Sequence, residues 1–391
     1  MVKTIDECFF QIQNGANIKQ GDVDDGFPIT RIETTANDKF NRDRMGYAGI
    51  TDISKYESYV LEDGDLLMSH INSVQYLGRT VLYVKEADET IIHGMNLLRL
   101  KARRNIIDPS YARYCFYGHS FRSKISNITK KSVNQASFAV KDLKQIKIEV
   151  PSLSEQDQIV KILDGIQNLI QMRNDELSVL DDLIKARFVE MFGLVRNNVY
   201  GYKIKMLQDV CEPIKDGTHQ TPTYVNDAQH GFKFLSSKDV TSGKINWSKI
   251  KYIPSDLHEE LYAKIKPKRG DILLAKNGTT GVAAVVETDE IFDIYVSLAL
   301  LRPIDMNSIY LWAAVNSADT KHQFDSSLKG IGVPNLHLGE IKKTKIIVPP
   351  LELQNQFADF VHQVDKSKAA VQKALDETQL LFDSLMQKYF K

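Results

Sequence analysis

The glycine-rich loop KNGTTG, at residues 276–281, is the segment that comes nearest to a known catalytic motif. A loop that holds phosphates has the pattern GxxxxGK[ST], in which backbone amides and a lysine after the last glycine contact the phosphates. Here Val282 follows the last glycine instead. An adenine methyltransferase would show Asp or Asn, then Pro-Pro and an aromatic residue, whereas the only Pro-Pro pair, residues 349–350, lies between Val348 and Leu351. Neither phosphate hydrolysis nor methyl transfer is therefore predicted for this chain alone.

The other reactive side chains are scattered along the sequence. Residues 340–342, Glu-Ile-Lys, contain the carboxylate and lysine of one nuclease type, but no Pro-Asp precedes them at a suitable distance. The nine histidines include no HxxxH or HExxH spacing, which would place two metal ligands on one helix face. Cys8, Cys115 and Cys211 are far apart and form no CxxC pair, so we expect reduced thiols. The sequence predicts no catalytic residue, no metal ligand and no cofactor in this chain.

Length and composition predict a multidomain globular protein. The chain has 391 residues, which is more than one compact core usually contains. Hydrophobic residues make up 43% and charged residues 26%, as in ordinary globular proteins. No apolar run approaches the roughly 20 residues of a membrane-spanning helix, and the start, MVKTIDECFF, does not resemble a signal peptide. We expect a cytoplasmic protein.

The charges are unevenly distributed although the formal net charge is zero. The stretch from Arg99 to Lys147 has twelve Lys or Arg residues against two acidic ones, whereas residues 151–193 have four basic and eight acidic residues. A basic segment of this kind is typical of nucleic-acid binding, although a solvated surface is the alternative interpretation. The basic segment is therefore a candidate binding region.

The chain contains an internal repeat. VPSLSEQDQI, at residues 150–159, recurs as VPPLELQNQF, at residues 348–357, with an offset of 198, and the same offset continues to Phe192 and Phe390. DGDLLMS, from Asp63, resembles RGDILLA, from Arg269, at an offset of 206. The sequence thus predicts a duplication, with a variable front part and a more regular rear part in each copy.

Each rear part has the pattern of one long helix. Apolar residues alternate three and four apart from Ile159 to Met191 and again from Phe357 to Met386, without an internal proline. A helix from near Glu155 to Phe192 would be on the order of 55 Å long. The apolar seam of such a helix needs a partner of matching length, and the other copy is that partner.

The front parts have the pattern of mixed α/β or α+β domains. Short apolar runs bounded by Gly, Asn or Asp predict strands at residues 79–84, 96–100, 271–275, 281–286 and 297–302. Helices are expected near residues 110–125 and 309–326. We interpret the aromatic residues Tyr111, Tyr114, Tyr117 and Phe121 as core residues, the alternative being a platform that stacks bases.

This arrangement resembles the specificity subunit of Type I restriction-modification systems. The resemblance covers essentially the whole chain and is strongest in QASFAVKDLKQIKIEVPSLSEQDQIVKIL, KARFVEMFG and VPNLHLGEIKKTKIIVPPLELQNQF. The second copy departs from the pattern where Leu353 replaces the glutamate found at Glu155.

The resemblance implies an α/β (α+β) fold with a pseudo-twofold internal repeat. Two globular target-recognition domains would be separated by two long conserved helices, packed as an antiparallel coiled coil. The expected boundaries are 1–150 for the first target-recognition domain, 151–193 for the first helix, 194–348 for the second domain and 349–391 for the second helix.

The resemblance also implies a function and partners. Each domain would read one half of a bipartite site in double-stranded DNA, and the helices would set the spacing and dock two modification subunits. Restriction subunits would complete the complex. S-adenosylmethionine, ATP and Mg would be bound by those partners. The chain itself would be non-catalytic.

The candidate DNA-binding residues follow from the chemistry of base recognition, in which Arg or Lys contacts guanine and Asn or Gln contacts adenine. They are loop residues with hydrogen-bonding side chains: Arg42, Arg44, His70, Asn72, Lys130, Lys131, Thr218, His219, Gln220, Lys276, Asn277, Thr279, Thr280 and Lys329. Each residue alone also fits a solvated loop. An alternative function is a non-catalytic coiled-coil adaptor whose globular domains bind protein, and a steep dependence of binding on salt would distinguish DNA binding from it.

Overall fold

The chain folds into two compact units in a computed structural model. The first unit consists of Met1–Asn174 with Lys373–Lys391, and the second of Asp175–Gln372. The structure describes residues 1–21, 25–132, 135–226, 231–240, 243–278, 280–328 and 335–391.

The first unit is a mixed α/β structure built around a four-stranded antiparallel sheet. Its elements are β1 (Val2–Thr4), α1 (Ile5–Cys8), β2 (Phe9–Asn14), β3 (Leu66–Ser69), β4 (Ile71–Asn72), β5 (Thr80–Leu82), β6 (Leu97–Ala102), α2 (Pro109–Tyr117), α3 (His119–Ile128), β7 (Lys130–Lys131), β8 (Ala136–Ser137), α4 (Val140–Lys144), β9 (Lys147–Glu149) and the first part of α5 (Leu153–Phe192). The main sheet has the strand order β2, β6, β3, β5. A small sheet has the order β4, β8, β7, and β1 pairs with β9.

The second unit repeats the main sheet and the pairing of the first strand with the last, but its smaller sheets differ. Its elements are β10 (Lys203–Met206), β11 (Lys215–Asp216), β12 (Phe232–Leu235), β13 (Lys251–Ile253), α6 (Ser255–Lys264), β14 (Ile272–Ala275), β15 (Ala283–Val285), β16 (Phe292–Ile294), β17 (Leu298–Leu301), α7 (Ser308–Val315), α8 (Ala318–Ser327), α9 (Leu338–Lys343), β18 (Lys345–Val348) and the first part of α10 (Leu351–Tyr389). The main sheet, in the order β11, β17, β14, β15, matches that of the first unit. One difference is a three-stranded sheet in which β12 pairs antiparallel with β13 and parallel with β16. The other is that, among the described residues, the single bridge between Asn277 and Asn335 stands where the first unit has the small sheet. The predicted duplication is confirmed.

The related DGD and RGD segments form the same turn before the central strand of each main sheet. Gly64 and Gly270 both have a positive φ, 88° and 89°, which glycine adopts without strain. The carboxylate of the aspartate that follows then accepts a hydrogen bond from a backbone amide three residues back, at 2.9 Å for Asp65 and 2.8 Å for Asp271. These turns lead into β3 and β14, whose residues are all buried.

The two helices predicted within the globular parts are each interrupted. In the first unit α2 ends and α3 begins at Gly118, and in the second α7 and α8 are separated by Asn316 and Ser317. The Ser317 side chain accepts a hydrogen bond from the amide of Thr320 at 3.3 Å, which caps the new helix. Apolar residues keep their helical spacing across both breaks. The sequence pattern therefore predicted one helix where each pair of helices lies.

The aromatic residues of α2 and α3 are mainly core residues, as expected. Tyr111, Tyr114 and Phe121 are no more than 2% exposed. Tyr117 is the exception, since 49% of it is exposed.

The two long helices, α5 and α10, have 40 and 39 residues, and α5 contains the helix expected from near Glu155 to Phe192. Each begins in one unit and ends in the other. In the first unit Leu163 belongs to the same buried cluster as Phe382, so the beginning of α5 packs with the end of α10. In the second unit Phe188, near the end of α5, packs against Phe357, near the start of α10, with ring centroids 5.6 Å apart. The helices are therefore antiparallel.

A buried glutamine forms hydrogen bonds that connect each long helix to the globular part of its unit. Gln156 and Gln354, at equivalent positions of the repeat, are 0% and 2% exposed. The Gln156 side chain accepts from the amide of Asp108 at 2.8 Å, and that of Gln354 accepts from the amide of Asn307 at 3.0 Å. Asp108 and Asn307 cap α2 and α7 through their own side chains. Each glutamine thus joins the starts of two helices.

Candidate nucleic-acid interface

The small sheet of the first unit brings four of the predicted residues together. His70 lies between β3 and β4, Asn72 is the last residue of β4, and Lys130 and Lys131 form β7. Both strands pair with β8, in which Ala136 lies opposite Asn72 on one side and opposite Lys131 on the other. Both lysines are exposed. The first unit therefore places two cations and an amide on one three-stranded sheet.

His70 differs from its neighbours because it is buried, with 6% of the residue exposed. Burial lowers the pKa of its imidazole from the ordinary 6.5 to about 4, so the ring is neutral at pH 7. A neutral ring cannot attract a phosphate by charge. Its backbone carbonyl accepts a hydrogen bond from the amide of Phe138 at 3.3 Å, which connects the end of β3 to the segment after β8.

Arg42 and Arg44 lie in a separate part of the first unit. The Arg42 guanidinium donates two hydrogen bonds to Glu89, at 2.9 and 2.7 Å, and lies 2.9 Å from Glu86. This pairing lowers the pKa of Glu89 to about 2. A DNA contact by Arg42 would have to replace these bonds. Arg44 is exposed, and its carbonyl accepts a hydrogen bond from Thr34 at 3.1 Å.

In the second unit Lys276 occupies the position of His70. It follows β14 directly, and its carbonyl accepts from the amide of Leu336 at 2.8 Å, as that of His70 does from Phe138. Lys276 is buried, and its ammonium donates to Asp216 at 2.5 Å. This pair neutralises both charges, so the second unit stabilises its cation internally where the first has a neutral ring.

The other predicted residues of the second unit surround that ion pair. His219 is exposed and its Nε2 lies 3.5 Å from the carboxylate of Asp216. The hydroxyl of Thr218 accepts a hydrogen bond from the amide of Gln220 at 3.2 Å. Asn277 has a buried side-chain oxygen without a partner among the described residues. Thr280 is partly buried. Thr279 and Lys329 lie outside the described residues.

A cleft of about 500 Å³ lies beside this group of residues. The cleft is lined by Thr218, His219 and Gln220 and also by Glu260 and Asp293. Asp293 accepts a hydrogen bond from the ring of His258 at 2.6 Å, and burial raises the pKa of its carboxyl group.

Sequence reasoning did not identify Asp216, Asp293 or His258 as part of this region. Asp216 and Lys276 are 60 residues apart, and no motif connects them. The repeat offers one usable signal: alignment of DGDLLMSH with RGDILLAK places Lys276 opposite His70, which marks both as the first residue after the central strand.

Among the described residues there is neither a membrane-spanning helix nor a metal-binding cluster. None of the helices there has the length and apolar character needed to cross a membrane. Across the described ranges, no group of three or more His, Cys, Asp or Glu side chains is placed to hold a metal ion.

Comparison with known proteins identifies the family. The Type I restriction modification DNA specificity domain matches residues 1–181 and 201–378. The chain belongs to this family, and it is a DNA specificity subunit of the Type I restriction-modification class.

Similar proteins support the same assignment. The chain is 29% identical to the type I restriction enzyme MjaX specificity subunit of Methanocaldococcus jannaschii, over 95% of this chain and 90% of that protein. It is 25% identical to the MjaVIII specificity subunit of the same organism, over 72% and 71% of the two chains.

Solved structures share the fold. The Type I restriction-modification S subunit from M. genitalium matches with a TM-score of 0.55 at 14% identity, over 100% of this chain and 96% of that one. A structure from work on complex assembly and conformational transition of the type I R-M system matches with a TM-score of 0.59 at 16% identity, over 100% and 97%. The predicted fold class is confirmed, and the family match supports DNA recognition rather than the adaptor alternative.

Proposed function

We propose that this chain is the non-catalytic, sequence-reading subunit of its complex. Residues 1–150 and 194–348 each recognise one half of a bipartite site in double-stranded DNA. The helices of residues 151–193 and 349–391 set the distance between the halves and dock two modification subunits. The duplication carries this proposal, since two domains with the same strand order are joined to one pair of long helices.

The geometry of the helices supports a fixed spacing. A continuous helix of 40 residues is about 60 Å long. Domains held by such helices would select half-sites at a constant separation, as the half-site spacing of dimeric DNA-binding proteins follows from the distance between their reading elements.

The chemistry is assigned to partners. Modification subunits would bind S-adenosylmethionine and methylate the DNA, and restriction subunits would use ATP and Mg to translocate and cut it. The complex would act in the cytoplasm, where it meets DNA. The predicted DNA-contacting residues remain part of this proposal, with Lys130 and Lys131 best placed because they are exposed and their side chains have no acidic partner among the described residues.

Methylation mapping at single-base resolution tests the proposal. Cells carrying this chain with its modification subunit should show one split motif. Replacing residues 1–150 by the corresponding domain of another system should change one half, and replacing residues 194–348 should change the other. A continuous motif, or a motif that neither exchange alters, would refute the two-domain mechanism.

A further inference from the structure

The loop that joins β4 to β5 in the first unit presents side chains that no sequence motif marks. Ser73, Val74, Gln75 and Tyr76 are consecutive and all exposed, with Val74 at 49% and Tyr76 at 38%. The Gln75 side chain makes no hydrogen bond to any described residue, so its amide is available to a ligand. An amide with a free donor and acceptor beside an exposed apolar side chain is the pair of chemistries that distinguishes base edges.

The backbone of this loop is held in place from both ends. The amide of Ser73 donates to the side chain of Asn72 at 2.7 Å, and the amide of Tyr76 donates to the carbonyl of Ser73 at 2.9 Å. Leu77 is buried, and its carbonyl accepts a hydrogen bond from Arg122 at 3.1 Å. Exposed side chains on a fixed backbone bind with a smaller loss of conformational entropy than those on a mobile loop.

A cation–π contact fixes the far end of the loop. The Arg79 guanidinium lies 4.8 Å from the centre of the Tyr76 ring and 3.0 Å from the carboxylate of Asp38. This contact fixes the ring of Tyr76, the residue next to Gln75.

The loop directly follows β4, a strand of the same small sheet that contains the two exposed lysines. Because Asn72 and Lys131 lie opposite Ala136 on its two sides, they occupy one row of the sheet, about 10 Å apart at the usual strand spacing. The segments 71–79 and 125–139 contain no acidic residue. The carboxylate of Asp38 near the loop is paired with Arg79. This surface therefore complements a polyanion, with cations at one edge of the sheet and the amide loop at the other.

The distance suits the major groove of DNA. The groove is about 8.5 Å deep and 12 Å wide, dimensions comparable with the separation of Asn72, where the loop begins, from Lys131. Phosphate contacts position a protein on the duplex, and base contacts specify the sequence.

We propose that residues 73–76 are the base-reading element of the first domain and that Gln75 with Val74 selects an A·T pair in its half-site. The Gln75 amide binds the N6 and N7 edge of adenine, and the Val74 methyl groups contact the thymine methyl group. Lys130 and Lys131 bind the flanking phosphates. This inference rests on the proposed function, because it assumes that the first domain reads DNA.

The test uses the full chain with its modification subunit in cells, followed by methylation mapping. Gln75→Ala and Val74→Ala should each make one A·T position degenerate, in the half that changes when residues 1–150 are exchanged. For Gln75→Ala, binding of the purified complex to the mapped duplex should lose about 5- to 150-fold in discrimination at that position, the equivalent of a good bidentate contact. The other half of the motif should stay unchanged.

Two sets of control variants distinguish a loss of base recognition from a general effect of substitution and from a loss of positive charge. Gln145→Ala, at an exposed glutamine of the same domain, should leave the motif intact. Lys130→Ala and Lys131→Ala should weaken binding to all sequences alike and lower the salt slope by about 1 each.

Each outcome bears on a single claim. A split motif that survives Gln75→Ala and Val74→Ala unchanged would overturn the loop assignment while leaving the two-domain mechanism standing. Degeneracy at a G·C pair would overturn the A·T assignment. A wild-type chain that directs no split motif would refute the proposed function itself.

Discussion

The buried glutamines at the starts of the long helices allow a quantitative prediction of stability. Gln156 makes three hydrogen bonds: it accepts from the amide of Asp108 at 2.8 Å and donates to the carbonyls of Ile106 and Pro151, both at 2.9 Å. Gln354 makes two: it accepts from Asn307 and donates to the carbonyl of Pro349.

Truncation to alanine leaves these buried groups without partners. At about 1 kcal/mol for each bond, Gln156→Ala should lower the free energy of unfolding by about 3 kcal/mol, and Gln354→Ala by about 2 kcal/mol. Gln158→Ala and Gln356→Ala are matched controls, since both glutamines lie two residues further along and are exposed. The controls should stay within about 0.5 kcal/mol of the wild type.

Urea denaturation can show which of the two units each glutamine substitution destabilises. Both tryptophans, Trp247 and Trp312, lie in the second unit, so tryptophan fluorescence follows that unit and far-ultraviolet circular dichroism follows the whole chain. Gln354→Ala should shift the fluorescence transition. Gln156→Ala should shift the dichroism transition and leave the fluorescence transition nearly unchanged. If Gln156→Ala and Gln158→Ala proved equally stable, the glutamine contacts would not hold the helix in place.

Two further predictions concern the buried ionisable groups. Burial lowers the pKa of His70 to about 4 and of His93 to about 3, so the unfolded chain binds protons below pH 6.5 while the folded chain does not. The free energy of unfolding of the first unit should therefore be constant above pH 6.5 and fall by several kcal/mol, on the order of 4, by pH 4.5. Hydrogen exchange measured between these pH values should show this loss. A loss that persists after both histidines are changed to glutamine would contradict its assignment to His70 and His93. Lys276→Met should lower the stability of the second unit by about 3 kcal/mol because it leaves the partly buried carboxylate of Asp216 without its cation. A fluorescence transition like that of the wild type would contradict this expectation. Asp216→Asn in the same chain should recover part of the loss.

The sequence was sufficient for the parts of the fold that local patterns determine. Apolar runs bounded by Gly and Asp predicted β14 and β17 to within a residue or two, and the uninterrupted seam predicted α5 and α10. The constant offset of 198 residues predicted the repeat, since insertions are absent where helices and strands must keep their register.

The site was harder to predict because burial and pairing depend on residues far apart in sequence. Arg42 has the residue type of a DNA contact, yet its partner Glu89 lies 47 residues away, and nothing near Arg42 signals that pairing. His70 is next to an apolar strand, but its burial follows from the packing of the small sheet. Gln75 has no motif, and only the fixed loop around it indicates a role.

The sharing of the long helices between the units has a consequence for synthesis of the chain. The core of the first unit includes Phe382, Met386 and Phe390, and the Phe390 ring lies 5.3 Å from that of Tyr111. These residues leave the ribosome some 200 residues after Asn174, the end of the unit's N-terminal part. At about 5–20 residues per second, the delay is on the order of 10–40 s. During that time the first unit has an unfilled apolar groove, so we expect nascent chains that lack residues 373–391 to be cleaved readily by protease, and the finished chain to become resistant when the end of the last helix is released.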